Sequence, residues 1–299
     1  MTNRMIDGSS YCVPVQLWMI ASILLAASVH VSVQSPSNTN VAVRTIPAAH
    51  NTTIEVRVTG GGQPIILLSG TGADASSLDP FARALAAAGF QAVSVNPRGA
   101  GRSNGSLTGL TLHDYAKDVA TVIESLRPGP LPILGWAGGN RVARCLATDR
   151  PDLVRAVILV AAGGLVPGDS AAIAATSKWI DESVSQPERL AAFRMSMLSA
   201  ATNPVGIDLP HVWPRAFAAQ SDAEDRTPQS EWWTAGRAPL LVIQGLDDLI
   251  APPGNGHKLR DQIGIRVKLV DIPKAGHALL LEHADRIRTE VITFLREIG

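Results

Sequence analysis

Short apolar runs recur along the chain, separated by longer segments in which apolar residues return every three or four positions. Runs of this length are typical of strands buried on both faces of a sheet. They lie at residues 64–68, 91–95, 131–134, 156–160, 240–243 and 266–270. Residues 52–58, TTIEVRV, instead alternate β-branched with polar positions, which predicts a half-buried strand.

The intervening segments predict helices, because their apolar positions follow the helical period. The helical patterns lie at residues 79–88, 112–126, 140–147 and 284–298. Strands that alternate with helices imply an α/β fold with a mostly parallel central sheet and helices on both faces. The sequence therefore predicts one such domain over residues 36–299.

One segment, about residues 166–234, interrupts this alternation. It holds helical stretches, scattered prolines and four tryptophans, Trp179, Trp213, Trp232 and Trp233, and it shows no clear strand. Ligands of such sheets bind at the carboxyl ends of the strands, where an inserted helical segment commonly forms a lid. We therefore predict a helical lid; the alternative is that the tryptophans only pack the insertion onto the core.

The N-terminal residues 1–35 predict export. Arg4 precedes an apolar stretch over residues 13–33, and a polar run follows at 34–40. A basic start, an apolar middle and small residues near its end are the features of a secretory signal peptide. The stretch is also long enough to span a bilayer, so an N-terminal membrane anchor is the alternative. We expect a secreted or periplasmic domain, or an anchored one outside the cytoplasm.

The charge balance restricts the partners. Lysine plus arginine equals aspartate plus glutamate, 26 residues each, and no long run of one sign occurs. This balance argues against nucleic acid and favours a small-molecule substrate.

We expect no cofactor, and no metal because no histidine pair has metal-ligand spacing. Cys145 lies in an apolar helical pattern and predicts a buried, inert thiol; nothing indicates the oligomeric state.

Five loop motifs then occur in a fixed order at the ends of the predicted strands. They are SGTG at 69–72, NPRGAGRS at 96–103, LGWAGG at 134–139, GLDDLIAP at 245–252 and GH at 276–277. Together they resemble the α/β-hydrolase superfamily over about residues 52–299. The resemblance implies the α/β-hydrolase fold, with LGWAGG at the turn that carries the serine nucleophile in that family.

Alanine stands at this turn. The glycines around Ala137 supply the room that such a tight strand-to-helix turn needs, but its methyl group cannot form an acyl-enzyme. Ser69, Thr71 and Ser103 lie in neighbouring loops, and we expect them to be structural. Three explanations stay open: a member with different chemistry, a catalytically silent member, or an engineered serine-to-alanine knock-out.

The resemblance also implies an acid–histidine pair. Asp248 matches the acid position, with Asp247 as the near alternative, and His277 matches the histidine that precedes the last helix. An acid placed in this way orients the imidazole and stabilises its protonated form.

The same resemblance implies an oxyanion hole made of backbone N–H groups. Those of Gly138 and Thr71 are expected to donate, with Gly72 as the alternative to Thr71.

Two function classes follow. One is an enzyme acting on an ester, lactone or similar carbonyl compound without a serine nucleophile, and the other is a non-catalytic binding protein that uses the same pocket.

Overall fold

Eight strands form one sheet in the part of the chain that the computed structural model describes, residues 40–126, 129–203 and 205–299. The strands are β1 (Val41–Ala48), β2 (Thr52–Gly60), β3 (Gln63–Leu68), β4 (Phe90–Val95), β5 (Leu131–Trp136), β6 (Val154–Val160), β7 (Leu240–Gly245) and β8 (Val267–Ile272). Their spatial order is β1-β2-β4-β3-β5-β6-β7-β8. Strand β2 pairs antiparallel with both β1 and β4. All the other neighbouring strands, from β4 to β8 in the spatial order, pair in parallel.

Helices cover both faces of this sheet. They are α1 (Asp79–Ala87), α2 (Leu112–Leu126), α3 (Gly138–Asp149), α4 (Ser170–Ile180), α5 (Gln186–Met197), α6 (Pro214–Arg226), α7 (Gly254–Ile263), α8 (Leu279–Glu282) and α9 (Ala284–Glu297). Helices α1 and α9 bury Phe81 and Ile287 against one face. Helices α2, α3 and α7 bury Val119, Leu146 and Leu259 against the other. The chain therefore has the predicted α/β architecture, with a mostly parallel sheet between two layers of helices.

The central strands are apolar along their whole length because they contact helices on both sides. Every residue of β5 and of β7 is buried, including Ile133 and Val242, which have no exposed surface. Such strands show no alternation of apolar and polar positions, which is why their runs in the sequence are continuous.

Helices α4, α5 and α6 lie between β6 and β7 and correspond to the predicted insertion. Trp179 of α4 and Phe193 of α5 pack edge to face, with ring centroids 5.2 Å apart. They belong to an apolar cluster that includes Ala278, next to the predicted histidine. Trp232 and Trp233 instead pack into the main apolar core against the sheet. For these two residues the structure agrees with the alternative interpretation, in which the tryptophans pack the insertion onto the core.

Arg144 of α3 is buried between these two core tryptophans. Its guanidinium carbon lies 4.4 Å from the ring centroid of Trp232 and 4.9 Å from that of Trp233. Nη2 donates to the side-chain oxygen of Asn140 and to the carbonyl oxygen of Gly163, each over 2.6 Å. Burial lowers the pKa of Arg144, and Nη1 has no hydrogen-bond partner among the described residues. Stacking on both indoles stabilises this cation.

Three elements differ from the prediction, and one of them is the single helical turn α8, which was not expected. Strand β1 was not expected, because most of its residues are exposed at the edge of the sheet and leave no apolar run. Helix α7 was not expected either, since Gly254 and Gly256 disfavour a helix and Leu259 is its only buried large apolar residue. The last strand begins at Val267 rather than at Arg266, which lies in the preceding turn.

The export or anchor prediction for residues 1–35 lies outside the described residues. Among the helices from residue 40 onwards that the structure describes, none has both the length and the apolar character needed to cross a membrane.

Candidate active site

Ala137 alone connects β5 to α3, in a backbone conformation that residues with a side chain rarely adopt. Its φ is 48° and its ψ is −118°. A residue held in such a region costs about 1–3 kcal/mol and is found mainly at functional sites. The turn is tight enough that a β-carbon on Gly135 would lie 2.5 Å from the backbone nitrogen of Asn140. The glycine in front of the turn is therefore required by this close approach.

Asp248 and His277 form a buried pair beside this turn. Nδ1 of His277 lies 2.9 Å from Oδ2 and 3.1 Å from Oδ1 of Asp248. The backbone N–H groups of Ile250 and Ala251 donate to Oδ1. These two bonds fix the position of the carboxylate independently of its bond to the imidazole. Donation from Nδ1 to the carboxylate leaves Nε2 as the nitrogen that can accept a proton.

Asp247 takes a different partner. Its Oδ2 accepts a hydrogen bond of 2.5 Å from the Ser199 hydroxyl, which lies in the loop after α5. Of the two adjacent aspartates considered in the sequence, the structure therefore pairs Asp248 with the histidine.

The loop that carries His277 is held from two sides. The indole N–H of Trp136 donates to the backbone carbonyl of His277 over 3.2 Å. The carboxylate of Glu282 accepts from the backbone N–H of Gly276 and, through its other oxygen, from that of Ser199. Glu282 thus joins the histidine loop to the inserted segment.

The predicted oxyanion donors Thr71 and Gly138 are neighbours. A β-carbon on Gly138 would lie 3.0 Å from the backbone nitrogen of Thr71 and 2.0 Å from its hydroxyl oxygen. Neither of these two backbone N–H groups has a hydrogen-bond partner among the described residues. The N–H of Gly72, the alternative donor, is instead bound to Oε1 of Gln220 over 3.0 Å.

A cavity of about 840 Å³ brings these groups together. Ala137, His277, Thr71 and Gly138 all line it. Most of the remaining wall is apolar and is contributed by Trp136, Trp179, Ile180, Phe193, Met197, Leu209, Val212, Phe217, Ile250 and Leu280. The cavity can therefore hold a substantial apolar ligand against one imidazole and two backbone donors.

One carboxylate of the cavity wall is held in its charged form. Burial by itself raises the pKa of Asp74, but hydrogen bonds from Ser76 and from the indole of Trp213 lower that pKa below its ordinary value. The bond from Trp213 also joins the segment before α6 to the loop after β3.

The fold agrees with a family comparison. The pattern of the Alpha/beta hydrolase family matches residues 65–290. The chain belongs to this family.

Relatives of this alpha/beta hydrolase differ in their reactions. A Mycobacterium tuberculosis protein provisionally assigned as the non-heme bromoperoxidase BpoC is 24% identical over 253 residues, or 80% of this chain and 96% of that protein. The (E)-2-((N-methylformamido)methylene)succinate hydrolase of Acinetobacter baylyi is 24% identical over 69% of this chain and 80% of its own. The structure of esterase RhEst1 from a Rhodococcus species superposes with a TM-score of 0.71 at 22% identity, covering 86% of this chain and 99% of the esterase.

Two charged residues of this hydrolase border the donors although no motif indicated them. Glu224 of α6 accepts a hydrogen bond of 3.2 Å from the Thr71 hydroxyl and forms an ion pair with Arg141 of α3. Both side chains line the cavity. Glu224 and Thr71 are 153 positions apart along the chain, so only the fold brings them together.

The other hydroxyl groups near the site are used in hydrogen bonds within loops. Ser69 donates to the carbonyl oxygen of Ala73 over 2.8 Å. Ser103 donates to the carbonyl oxygen of Asn96 and accepts from the backbone N–H of Glu55. These contacts agree with the structural roles expected from the sequence.

Proposed function

We propose that the protein hydrolyses an ester, lactone or similar carbonyl compound with water as the nucleophile. In this proposal His277 is the general base, Asp248 orients it, and the N–H groups of Thr71 and Gly138 receive the oxyanion. The observation that carries the proposal is the buried hydrogen bond between Asp248 and His277, because His277 lines the same cavity as the turn at Ala137. A non-catalytic binding protein has no evident need for this acid–histidine pair.

The reaction follows from these positions. Nε2 of His277 accepts a proton from a water molecule while the water oxygen forms a bond to the carbonyl carbon. The carbonyl oxygen becomes an oxyanion that accepts hydrogen bonds from the two backbone N–H groups. When the tetrahedral intermediate collapses, the bond to the leaving oxygen breaks and His277 returns the proton to it. Ala137 takes no part beyond leaving the space that a hydroxyl would fill.

The expected acceleration is moderate. A positioned general base contributes about 10²–10⁴-fold, and one oxyanion donor about 10²–10³-fold. Serine hydrolases that lack a member of the triad still exceed the uncatalysed reaction by about 10³–10⁴-fold. We therefore expect slow turnover with no acyl-enzyme intermediate.

The cavity wall supports an apolar substrate. Aromatic and aliphatic side chains from α4, α5 and the segment before α6 surround the space in front of His277. We propose that this insertion acts as a lid, since it supplies Trp179 and Phe193 and contacts Ala278 beside the base. A lid of this kind excludes bulk water and strengthens the hydrogen bonds to the developing oxyanion.

The proposal can be tested with three proteins on a panel of short-chain and medium-chain esters and lactones. The unchanged chain should turn over at least one of them, and His277→Ala should abolish that turnover. His257→Ala is the matched control, because His257 also pairs with an aspartate, Asp271, but lies at the exposed surface. Activity that survives in His277→Ala would overturn the proposal.

Ala137→Ser separates the remaining explanations. We expect a fluorophosphonate probe to label this variant covalently and not the unchanged chain, because only the variant has a nucleophile at the turn. Turnover confined to Ala137→Ser would show that the chain as it stands is a silent member or a knock-out of a serine esterase. Failure of both proteins, with a ligand still bound in the cavity, would favour the non-catalytic binding protein.

A further inference from the structure

Three different metal-binding side chains meet at the end of α3 that is remote from the cavity. Nδ1 of His113 in α2 lies 3.2 Å from Sγ of Cys145 and 2.7 Å from Oδ2 of Asp149. Sγ of Cys145 lies 3.6 Å from the same carboxylate oxygen. Cys145 and Asp149 are one helical turn apart, so they project from the same face of α3. The three donor atoms therefore form a triangle.

The triangle has nearly the dimensions of a zinc site. Around a tetrahedral Zn²⁺ with bonds of about 2.3 Å to sulfur and about 2.0 Å to nitrogen and oxygen, neighbouring donors lie about 3.3–3.6 Å apart. Both distances from the Cys145 sulfur are already close to these values. The separation of His113 from Asp149 must increase by about 0.6 Å, and that of His113 from the sulfur by about 0.3 Å. The side chains of His113 and Asp149 are partly exposed, at 36% and 31%, whereas the cysteine is buried.

A fourth side chain supports the same interpretation. Glu231, in the turn Gln229–Glu231, binds Nε2 of His113 over 2.8 Å, on the opposite side of the ring from the triangle. Histidines that bind a metal usually donate their second N–H to a carboxylate, which fixes the tautomer and orients the ring. Glu231 therefore presents Nδ1 to the other two donors in the way a metal ligand requires.

From these contacts we propose that His113, Cys145 and Asp149 bind a divalent transition-metal ion, with Zn²⁺ as the best match. A thiolate, an imidazole and a carboxylate favour Zn²⁺ over Mg²⁺ or Ca²⁺, which prefer oxygen ligands throughout. Water supplies the fourth ligand from the exposed side. Binding releases the Cys145 thiol proton to solvent, since a coordinating thiol is deprotonated. The prediction of no metal considered only spacing along the chain, and this proposal departs from it.

The ion would have a structural role. Cys145 and Asp149 lie about 10–16 Å along α3 from Gly138, at the usual rise of a helix, and so outside reach of the substrate. The ion would link α2 and α3, and through Glu231 it would also fix the segment that leads from α6 into β7. It would thus fasten the C-terminal end of the inserted segment to the core.

Metal binding to the full chain tests this proposal. The chain should carry Cys12→Ser, so that Cys145 is the one remaining thiol, and any purification tag should be removed. We expect about one Zn²⁺ per chain and a rise of roughly 5 °C in the melting temperature at saturating metal. With Co²⁺ in place of Zn²⁺, a thiolate-to-cobalt charge-transfer band should appear, and Cys145→Ser should abolish it.

Two further variants keep the test decisive if Cys145→Ser folds poorly. Glu231 lies at the surface. We therefore expect Glu231→Gln to weaken Zn²⁺ binding about 10–100-fold without loss of fold. His257→Ala removes the exposed His–Asp pair that lacks a thiol and should leave binding unchanged. Absence of stoichiometric Zn²⁺, a cobalt band that persists in Cys145→Ser, or full affinity in Glu231→Gln would each overturn the proposal.

Discussion

Trp136 donates a hydrogen bond from its indole nitrogen to the backbone carbonyl of His277, over 3.2 Å. Trp136 is the last residue of β5, directly before Ala137, and it is buried. The central strand that leads into the turn therefore also supports the loop that carries the base. One side chain thus positions two parts of the site, although Trp136 and His277 are 141 positions apart in the sequence.

Trp136→Phe tests this support. The variant keeps most of the ring but loses the hydrogen bond, so we expect the free energy of unfolding to fall by about 1 kcal/mol. We expect kcat to fall about tenfold, because the imidazole is less well placed. Trp179→Phe is the control: Trp179 also lines the cavity, but its indole N–H has no partner among the described residues. An equal loss of kcat in both variants would contradict this role of Trp136.

Asp248→Asn and Asp247→Asn form a second matched pair. An amide in place of the Asp248 carboxylate can no longer hold the imidazole in its working tautomer, so we expect kcat to fall by up to about 10⁴-fold with the fold intact. Asp247 bonds to Ser199 and not to His277, so its variant should keep kcat. Steady-state rates on any ester that the chain hydrolyses give the comparison. A greater loss in Asp247→Asn would show that the acid has been assigned wrongly.

Gly138→Ala tests the oxyanion donors. The added methyl group would lie 2.0 Å from the Thr71 hydroxyl oxygen and 3.0 Å from the Thr71 backbone nitrogen. Because the methyl group would crowd the space between the two N–H groups, we expect kcat to fall about 10²–10³-fold. Gly163→Ala, also in the cavity wall, places its methyl group 3.4 Å from Ala251 and should have little effect. Comparable rates for the two variants would argue against these donors.

Arg144→Ala tests the packing beneath the sheet. The variant leaves a cavity between Trp232 and Trp233, and we expect the free energy of unfolding to fall by about 3 kcal/mol. Arg288→Ala, at an exposed ion pair with Asp285, should change it by less than about 0.5 kcal/mol. Urea denaturation of both variants provides the measurement. A small fall in the free energy of unfolding of Arg144→Ala would mean that the two indoles move together and fill the cavity.

Much of this fold could be predicted because its strands are buried on both faces. The continuous apolar runs of β5 and β7 follow from that burial, and the loops after them carry the motifs with Ala137 and Asp248. Strand β1 was missed because it is an exposed edge, where the side chains need not be apolar.

The parts of the site that could not be predicted come from side chains that meet only after folding. Glu224 and Gln220 lie on α6, whose charged residues look like those of any solvated helix in the sequence. They reach Thr71 and Gly72 across 153 and 148 positions of the chain. The spacing of Cys145 and Asp149 was visible in the sequence, but His113 and Glu231 approach them from separate elements.

Glu282 has a consequence for the working cycle of the protein. One of its oxygens binds the backbone beside His277, and the other binds the backbone N–H of Ser199 and the hydroxyl of Thr202 in the insertion. Under the proposed lid role, movement of the insertion would pull on the carboxylate that also holds Gly276, the residue before His277. If the proposed lid opens for entry or release, the loop that carries His277 would shift with it, so we expect hydrolysis only while the proposed lid is closed.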